Sequence, residues 1–282
     1  IVEAVEDAAR SFIALGLQHG DRLAIWAPNS AEWIFSALAA QIVGGVLVPI
    51  NTRFKGSEAA YVLNHSGAKF LLCDNKFLGQ NYAQELRDSG IPLPTLEHII
   101  DFSGATDAQC TPWQDFLAHG HSVPLTAVHE REQKIMPSDL CDIIFTSGTT
   151  GKPKGCVHLH RSVMFNAVTG AIWSGTGAPD HVTLAVLPMF HVTGMQISMN
   201  AAIYAGATMV IMPRWDRELA GQLISRWRVS HWANIPTMVI DLLASPNFSW
   251  QRRAEAVLVL GQAVTVDFVD ERKFAGDASS LA

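Results

Sequence analysis

The sequence is short of three things, and each shortage excludes a class of protein. Cysteine is scarce: Cys73, Cys110, Cys141 and Cys156 are the four present, and no two form a C-x-x-C pair. That argues against a disulfide framework and, with no signal peptide recognisable, for a reducing, cytoplasmic setting. Positive charge is also scarce, with 20 Lys and Arg against 26 Asp and Glu for a net charge of −6. No general nucleic-acid footprint is expected from such a balance. Long apolar runs are missing too, since no stretch approaches the roughly 20 residues of a membrane span. What is present, 49% hydrophobic and 16% charged residues over 282 positions, suffices for a large core and is too apolar for disorder.

The most informative stretch runs from Asp142 to His158. An apolar β-type run (Ile143, Ile144, Phe145) enters it and another (Cys156, Val157) leaves it. Between them lie Thr146, Ser147, Gly148, Thr149, Thr150, Gly151, Lys152, Pro153 and Lys154. Glycines at 148 and 151 can take φ > 0, which lets backbone N–H groups turn inward around an anion. The hydroxyls add donors, the two lysines add charge, and Pro153 stiffens the exit. The composition points to phosphate; the alternative is a plain polar connection between two strands. A Walker loop is excluded, because Thr146 stands where that motif has its first glycine and Pro153 where it has its Mg²⁺-binding hydroxyl.

The string Thr146-Ser147-Gly148-Thr149-Thr150-Gly151-Lys152-Pro153-Lys154-Gly155 resembles the signature of the adenylate-forming, AMP-binding superfamily, which contains acyl-CoA synthetases, luciferases and peptide-synthetase adenylation domains. The resemblance implies ATP and Mg²⁺, with residues 146–152 and Lys154 on the pyrophosphate-bearing end. It also implies coenzyme A as second substrate and a small carboxylic acid as the first. The expected activity is an acyl-CoA synthetase, with an aryl-acid or other adenylate-forming ligase as alternative and a non-catalytic nucleotide-binding remnant as a further one. For a lipid-handling enzyme a peripheral membrane contact stays open. Nucleic acid is not an expected partner.

Around this loop the sequence alternates short apolar strands with helices of about 10–14 residues, the pattern of crossovers over a mostly parallel sheet. The fold class expected is therefore α/β, with mostly parallel sheets flanked by helices, as in the large N-terminal domain of the resembled enzymes. Helices are expected at 1–14, 31–42, 57–64 with Ser57 as cap, 82–87, 162–172, 195–204, 216–227 and from Pro236. Strands are expected at 23–27, 46–50, 69–73, 99–100, 182–186, 208–212, up to Asn234, and at 256–260. Residues 102–137, punctuated by Pro112, Pro124 and Pro137, read as an irregular connection with a helical patch near Trp113. His119-x-His121 lacks a third ligand, so no metal site is expected there.

Weaker strings extend the resemblance: Ala27-Pro28-Asn29-Ser30, Pro49-Ile50-Asn51-Thr52-Arg53 and Ser66-Gly67-Ala68-Lys69. Asn51 and Arg53 read either as ligand contacts or as residues shaping their loop. Leu187-Pro188-Met189-Phe190-His191-Val192-Thr193-Gly194 reads from residues alone as a core aromatic with a bonded histidine. The resemblance instead implies that Phe190, His191 and Gly194 line an acyl pocket, together with Trp232, Asn234 and Thr237 from the later Trp232-Ala233-Asn234-Ile235-Pro236-Thr237 string. As plain residues these last three could equally be core. His191 would be a contact and not a base, since a carboxylate is already ionised at neutral pH.

The recognisable strings cover residues 1–260. Gly261-Gln262-Ala263-Val264 has one glycine where relatives have several, and 261–282 reads as a tail without the family's pattern. The ribose-binding Asp, the C-terminal domain and its catalytic Lys are expected beyond it. The sequence thus reads as an incomplete N-terminal domain, truncated at both ends and inactive alone.

Overall fold

The structure is a computed structural model that describes residues 1–104, 107–146, 151–175, 178–246, 258–261 and 265–266. The chain divides into two compact units, Ile1–Phe165 with Met189–Val192, and Asn166–Pro188 with Thr193–Ala282.

In the first unit, α1 (Val2–Ala14) leads to β1 (Arg22–Trp26), α2 (Ala31–Ile42), β2 (Val46–Pro49), α3 (Gly56–Ser66) and β3 (Phe70–Cys73). Then follow α4 (Tyr82–Asp88), β4 (His98–Asp101), β5 (Thr111–Pro112), α5 (Trp113–His119) and α6 (Leu125–Glu132). The hairpin β6 (Leu140–Thr146) and β7 (Lys154–Leu159) comes last, before α7 (His160–Trp173), which runs on into the residues of the second unit. The seven strands lie in the order β5-β4-β3-β1-β2-β6-β7, and every pairing is parallel except β6 with β7. β2 and β3 are buried at every position, which is why they read as continuous apolar runs and not as alternating ones.

Local chemistry sets the boundaries. Ser30 caps α2 by accepting from the Trp33 amide at 3.1 Å, and Gly67 closes α3 in the left-handed region at φ 65°. Ser57 does not cap α3 as expected. The cap is Lys55, whose amide donates to Glu58 at 2.9 Å, leaving Ser57 inside the first turn. The stretch 102–137 is also more regular than its prolines suggested. Pro112 and Pro124 stand immediately before α5 and α6, where a missing N–H costs nothing. It is also pinned to α1, because Arg10 donates to Val123 O at 2.7 Å and to His121 O at 3.0 Å.

The second unit carries β8 (Val182–Ala185), α8 (Ala201–Ala205), β9 (Thr208–Ile211), α9 (Arg217–Trp227), β10 (His231–Asn234), α10 (Pro236–Leu243), β11 (Leu258–Gly261) and β12 (Thr265–Val266). Its sheet runs β12-β11-β10-β8-β9, parallel except for β12. Asp216 caps α9 through the Leu219 amide at 2.9 Å, and Pro236 opens α10. The single helix expected over 195–204 is instead a π-helix, Gly194–Asn200, continuing into α8.

Candidate active site

The β6–β7 hairpin flanks the hydroxyl- and lysine-rich stretch 146–154. Its register pairs Thr146 with Lys154, Phe145 with Gly155, Ile144 with Cys156, Ile143 with Val157 and Asp142 with His158. Directly opposed residues share a face of a sheet and alternate along each strand. Thr146 and Lys154 therefore stand side by side at the mouth of the loop. Thr146 Oγ1 lies 3.5 Å from the Lys154 carbonyl oxygen.

Of the loop itself, Ser147, Gly148, Thr149 and Thr150 lie outside the described residues. Gly151 takes φ 128°, a backbone conformation open to a residue without Cβ. Lys152 is exposed and places Nζ 5.3 Å above the Tyr61 ring. Tyr61 OH donates to the Pro153 carbonyl at 3.1 Å, so α3 holds the exit of the loop. Gly155 is needed for packing. A Cβ there would come within 2.9 Å of Ile143 Cγ2 and 3.3 Å of Phe145 Cζ.

At the root of the hairpin Asp142 is wholly buried, with Oδ1 2.5 Å from His158 Nδ1 and Oδ2 buried without a hydrogen-bond partner among the described residues. Burial drives this carboxyl above the ordinary Asp range, opposed by the hydrogen bond and charge of His158. A bulge precedes it: between the Leu140–Leu159 and Asp142–His158 pairs, β6 carries one residue more than β7. The extra residue, Cys141, accepts a hydrogen bond at Sγ from Gln41 at 3.2 Å.

Met189, Phe190 and His191 belong to the first unit, and buried Asn29 holds them there, its Oδ1 accepting from the Met189 amide at 2.8 Å. Phe190 is partly buried and His191 exposed. Asn51 accepts the Arg53 amide at 2.9 Å and offers its carbonyl to Trp26 Nε1 at 3.1 Å, which is the loop-shaping alternative.

In the second unit, Gly194 is fixed by close approach, for a Cβ would fall 2.1 Å from Pro188 O. Trp232 and Asn234 are buried on β10, while Thr237 is exposed in the first turn of α10. Trp232 stacks on Trp215 at 5.3 Å, its Nε1 without a hydrogen-bond partner among the described residues. Asn234 donates to Trp232 O at 3.0 Å, and its Oδ1 has no hydrogen-bond partner among the described residues.

Sequence reasoning missed the tie from Tyr61 to Pro153, the tie from Asn29 to Met189 and the Asp142–His158 pair. The first two are tertiary contacts across 92 and 160 positions that carry no local signal. The pair did have one: in an antiparallel hairpin, residues equidistant from the loop centre face each other, and these two are.

Among the described residues no group of three His, Cys, Asp or Glu could hold a metal, and no helix is long and apolar enough to cross a membrane.

Comparison with known proteins shows the family. Residues 1–278 match the family described as AMP-binding enzyme, a match that runs past residue 260, where the recognisable strings give out. A relative from Mycobacterium tuberculosis, 3-[(3aS,4S,7aS)-7a-methyl-1,5-dioxo-octahydro-1H-inden-4-yl]propanoyl:CoA ligase, is 35% identical over 246 residues, covering 86% of this chain and 47% of the relative. Crotonobetaine/carnitine–CoA ligase of Proteus mirabilis is 30% identical, covering 86% and 46%. Among solved structures, the inhibitor-bound N-terminal domain of FACL13 from Mycobacterium tuberculosis superposes with TM-score 0.69 at 26% identity, covering 87% of this chain and 57% of that one. ATP-bound MatB from Rhodopseudomonas palustris gives TM-score 0.73 at 25% identity, covering 92% and 48%. The chain thus spans about half the length of the curated relatives it matches.

Proposed function

Because the chain belongs to the AMP-binding enzyme family, we propose that it forms the nucleotide-gripping part of an ATP-dependent acid–thiol ligase of the acyl-CoA synthetase type. The observation that carries this reading is the hairpin that sets Thr146 beside Lys154 where the hydroxyl-rich loop begins and ends.

In the reaction a carboxylate oxygen attacks the α-phosphorus of ATP, the α–β bridging bond breaks and pyrophosphate leaves. The thiol of coenzyme A then attacks the acyl carbon of the acyl-adenylate and AMP departs. The protein's task in such transfers is to position the reactants and offset charge. Thr146, Ser147, Thr149 and Thr150, with the amides of Gly148 and Gly151, bind the β- and γ-phosphates. Lys154 adds a cation there, and Lys152 a second. Mg²⁺ belongs to this reading and would supply positive charge to the triphosphate; no group of three His, Cys, Asp or Glu among the described residues could hold it.

Phe190, His191, Gly194, Trp232, Asn234 and Thr237 are the proposed contacts to the acid. The unpaired Oδ1 of Asn234 supports a role for that residue, whereas the stacking of Trp232 on Trp215 favours packing for that one. The apolar Met189, Phe190 and Met195 favour an aliphatic or polycyclic acid, in keeping with the fused-ring acid named for the Mycobacterium tuberculosis relative. A cytoplasmic location completes the reading.

ATP titration followed by thermal melting tests it. ATP should raise the melting temperature of the chain, and Lys154→Ala should weaken ATP binding about tenfold or more, the loss of a charge-assisted contact. An unchanged melting temperature at millimolar ATP sinks the proposal. Stabilisation without pyrophosphate release when acids are added favours the non-catalytic nucleotide-binding alternative for this chain alone.

A further inference from the structure

Strand β7 raises a problem of register. In most half-buried strands the apolar pattern fixes the pairing, because a one-residue slip moves every side chain to the other face. β7 has no such pattern: Lys154, Gly155, Cys156 and Val157 are all exposed, Val157 at 55%. Among the described strands it is also the last in the order of its sheet, paired to β6 alone. Burial of its first four residues therefore contributes little to holding Lys154 opposite Thr146.

The polar groups nearby are arranged differently. Asp142 is 0% exposed, although a buried carboxylate with an empty oxygen is among the more costly features a core can hold. Its described hydrogen-bond partner is His158, directly across the hairpin. The bulge at Cys141 sets the phase of β6 so that Asp142, Ile144 and Thr146 share one face. The same face of β7 carries His158, Cys156 and Lys154. Between the buried pair and the loop there is thus a single intervening pair, Ile144 with Cys156. On the opposite face Gly155 fits against Ile143 and Phe145 with no room for a Cβ.

We propose that Asp142 and His158 are positioning residues: their contact locks the register of β6 with β7 and so fixes Lys154 and Thr146 at the mouth of the phosphate loop. A slip of one residue would turn Lys154 to the other face and take His158 away from Asp142, leaving the carboxylate buried and alone. The cost of that state is what selects the correct register. Polar pairs in cores can give specificity even where apolar replacements would give equal or greater stability. The inference rests on the reading above for its nucleotide consequence only.

The test separates register from stability. In the full chain, Asp142→Leu/His158→Leu replaces the pair by apolar side chains. Its melting temperature should equal or exceed that of the unaltered chain. Amide hydrogen exchange of residues 155–159 should nevertheless accelerate at least tenfold, and ATP should bind about tenfold more weakly. Asp142→Asn, which keeps an acceptor for His158, should restore both to within about threefold. Cys156→Ser, on the same face between the pair and Lys154, should alter neither.

A double variant with unchanged exchange in β7 overturns the proposal. So does one whose exchange and ATP affinity merely follow a loss of melting temperature. Exchange measured without nucleotide decides the matter independently: if the unaltered chain binds no ATP, the functional reading fails while the register lock is still judged.

Discussion

Asp139 and Asp142 stand three residues apart at the entry to β6, and each meets a histidine, but they do opposite things. Asp139 is partly exposed, with Oδ2 3.0 Å from Nε2 of the exposed His19 and accepting the Met136 amide at 2.8 Å. These contacts, the amide first and His19 second, hold its carboxyl below the ordinary range. Asp142 has one histidine contact as well, yet burial outweighs it and the carboxyl is driven up. The same pair of side chains is thus a solvated surface contact in one place and a buried constraint in the other. Depth, not chemistry, makes the difference, because water replaces a lost partner at the surface and nothing does so inside.

The sharpest way to break this comparison is to remove one partner inside. His158→Leu leaves the Asp142 carboxylate buried without its partner, and unfolding in urea at neutral pH should show a loss of about 3–5 kcal/mol. A loss no larger than that of His19→Ala would mean that the two aspartates are equivalent after all. Next in size is a steric test of the same hairpin. Gly155→Ala pushes a Cβ to 2.9 Å from Ile143 Cγ2, and overpacking of that kind should cost about 1–3 kcal/mol by the same assay.

The pH dependence of stability then distinguishes the two carboxyls by sign. Asp142 keeps its proton to a higher pH when folded than when unfolded. Between those two pKa values the folded state binds more protons, so its contribution falls as pH rises above about 4. Asp142→Asn should therefore gain on the unaltered chain as pH climbs from there. Asp139 loses its proton earlier when folded, so its contribution grows as pH rises towards about 4 and is lost again on acidification. Asp139→Asn should fall behind the unaltered chain over that range, by a smaller margin. Parallel stability curves for the two variants would show that burial does not separate them. His19→Ala closes the series with the smallest effect, since its side chain is 59% exposed.

How far the sequence revealed all this depended on the range of the interaction. The α/β alternation was legible because it is local. Apolar runs such as Val46–Pro49 are buried at every position, and caps such as Ser30, Asp216 and Pro236 signal helix starts without reference to anything distant. Within 102–137 the helical patch near Trp113 is legible and becomes α5, whereas α6 is not, since a proline before a helix and a proline in a loop look alike until the helix is seen. The loop's glycines and lysines could be read from composition. Its supports could not. Tyr61 reaches Pro153 from α3, and Asn29 reaches Met189 from the turn before α2. Such contacts exist only after the sheet has formed. Asp142 and His158 bound the informative stretch of sequence, one at each end. Folding the sequence about the loop would have joined them.

The π-helix at Gly194–Asn200 has a practical consequence for anyone comparing this protein with others. Hydrogen bonds there close over five residues instead of four, so a wheel drawn at 3.6 residues per turn drifts out of phase as it crosses the segment. Ala201 and Ala202 are buried and Tyr204 is 52% exposed beyond it. Substitutions chosen downstream by ordinary heptad arithmetic would be aimed at the wrong side of the rod.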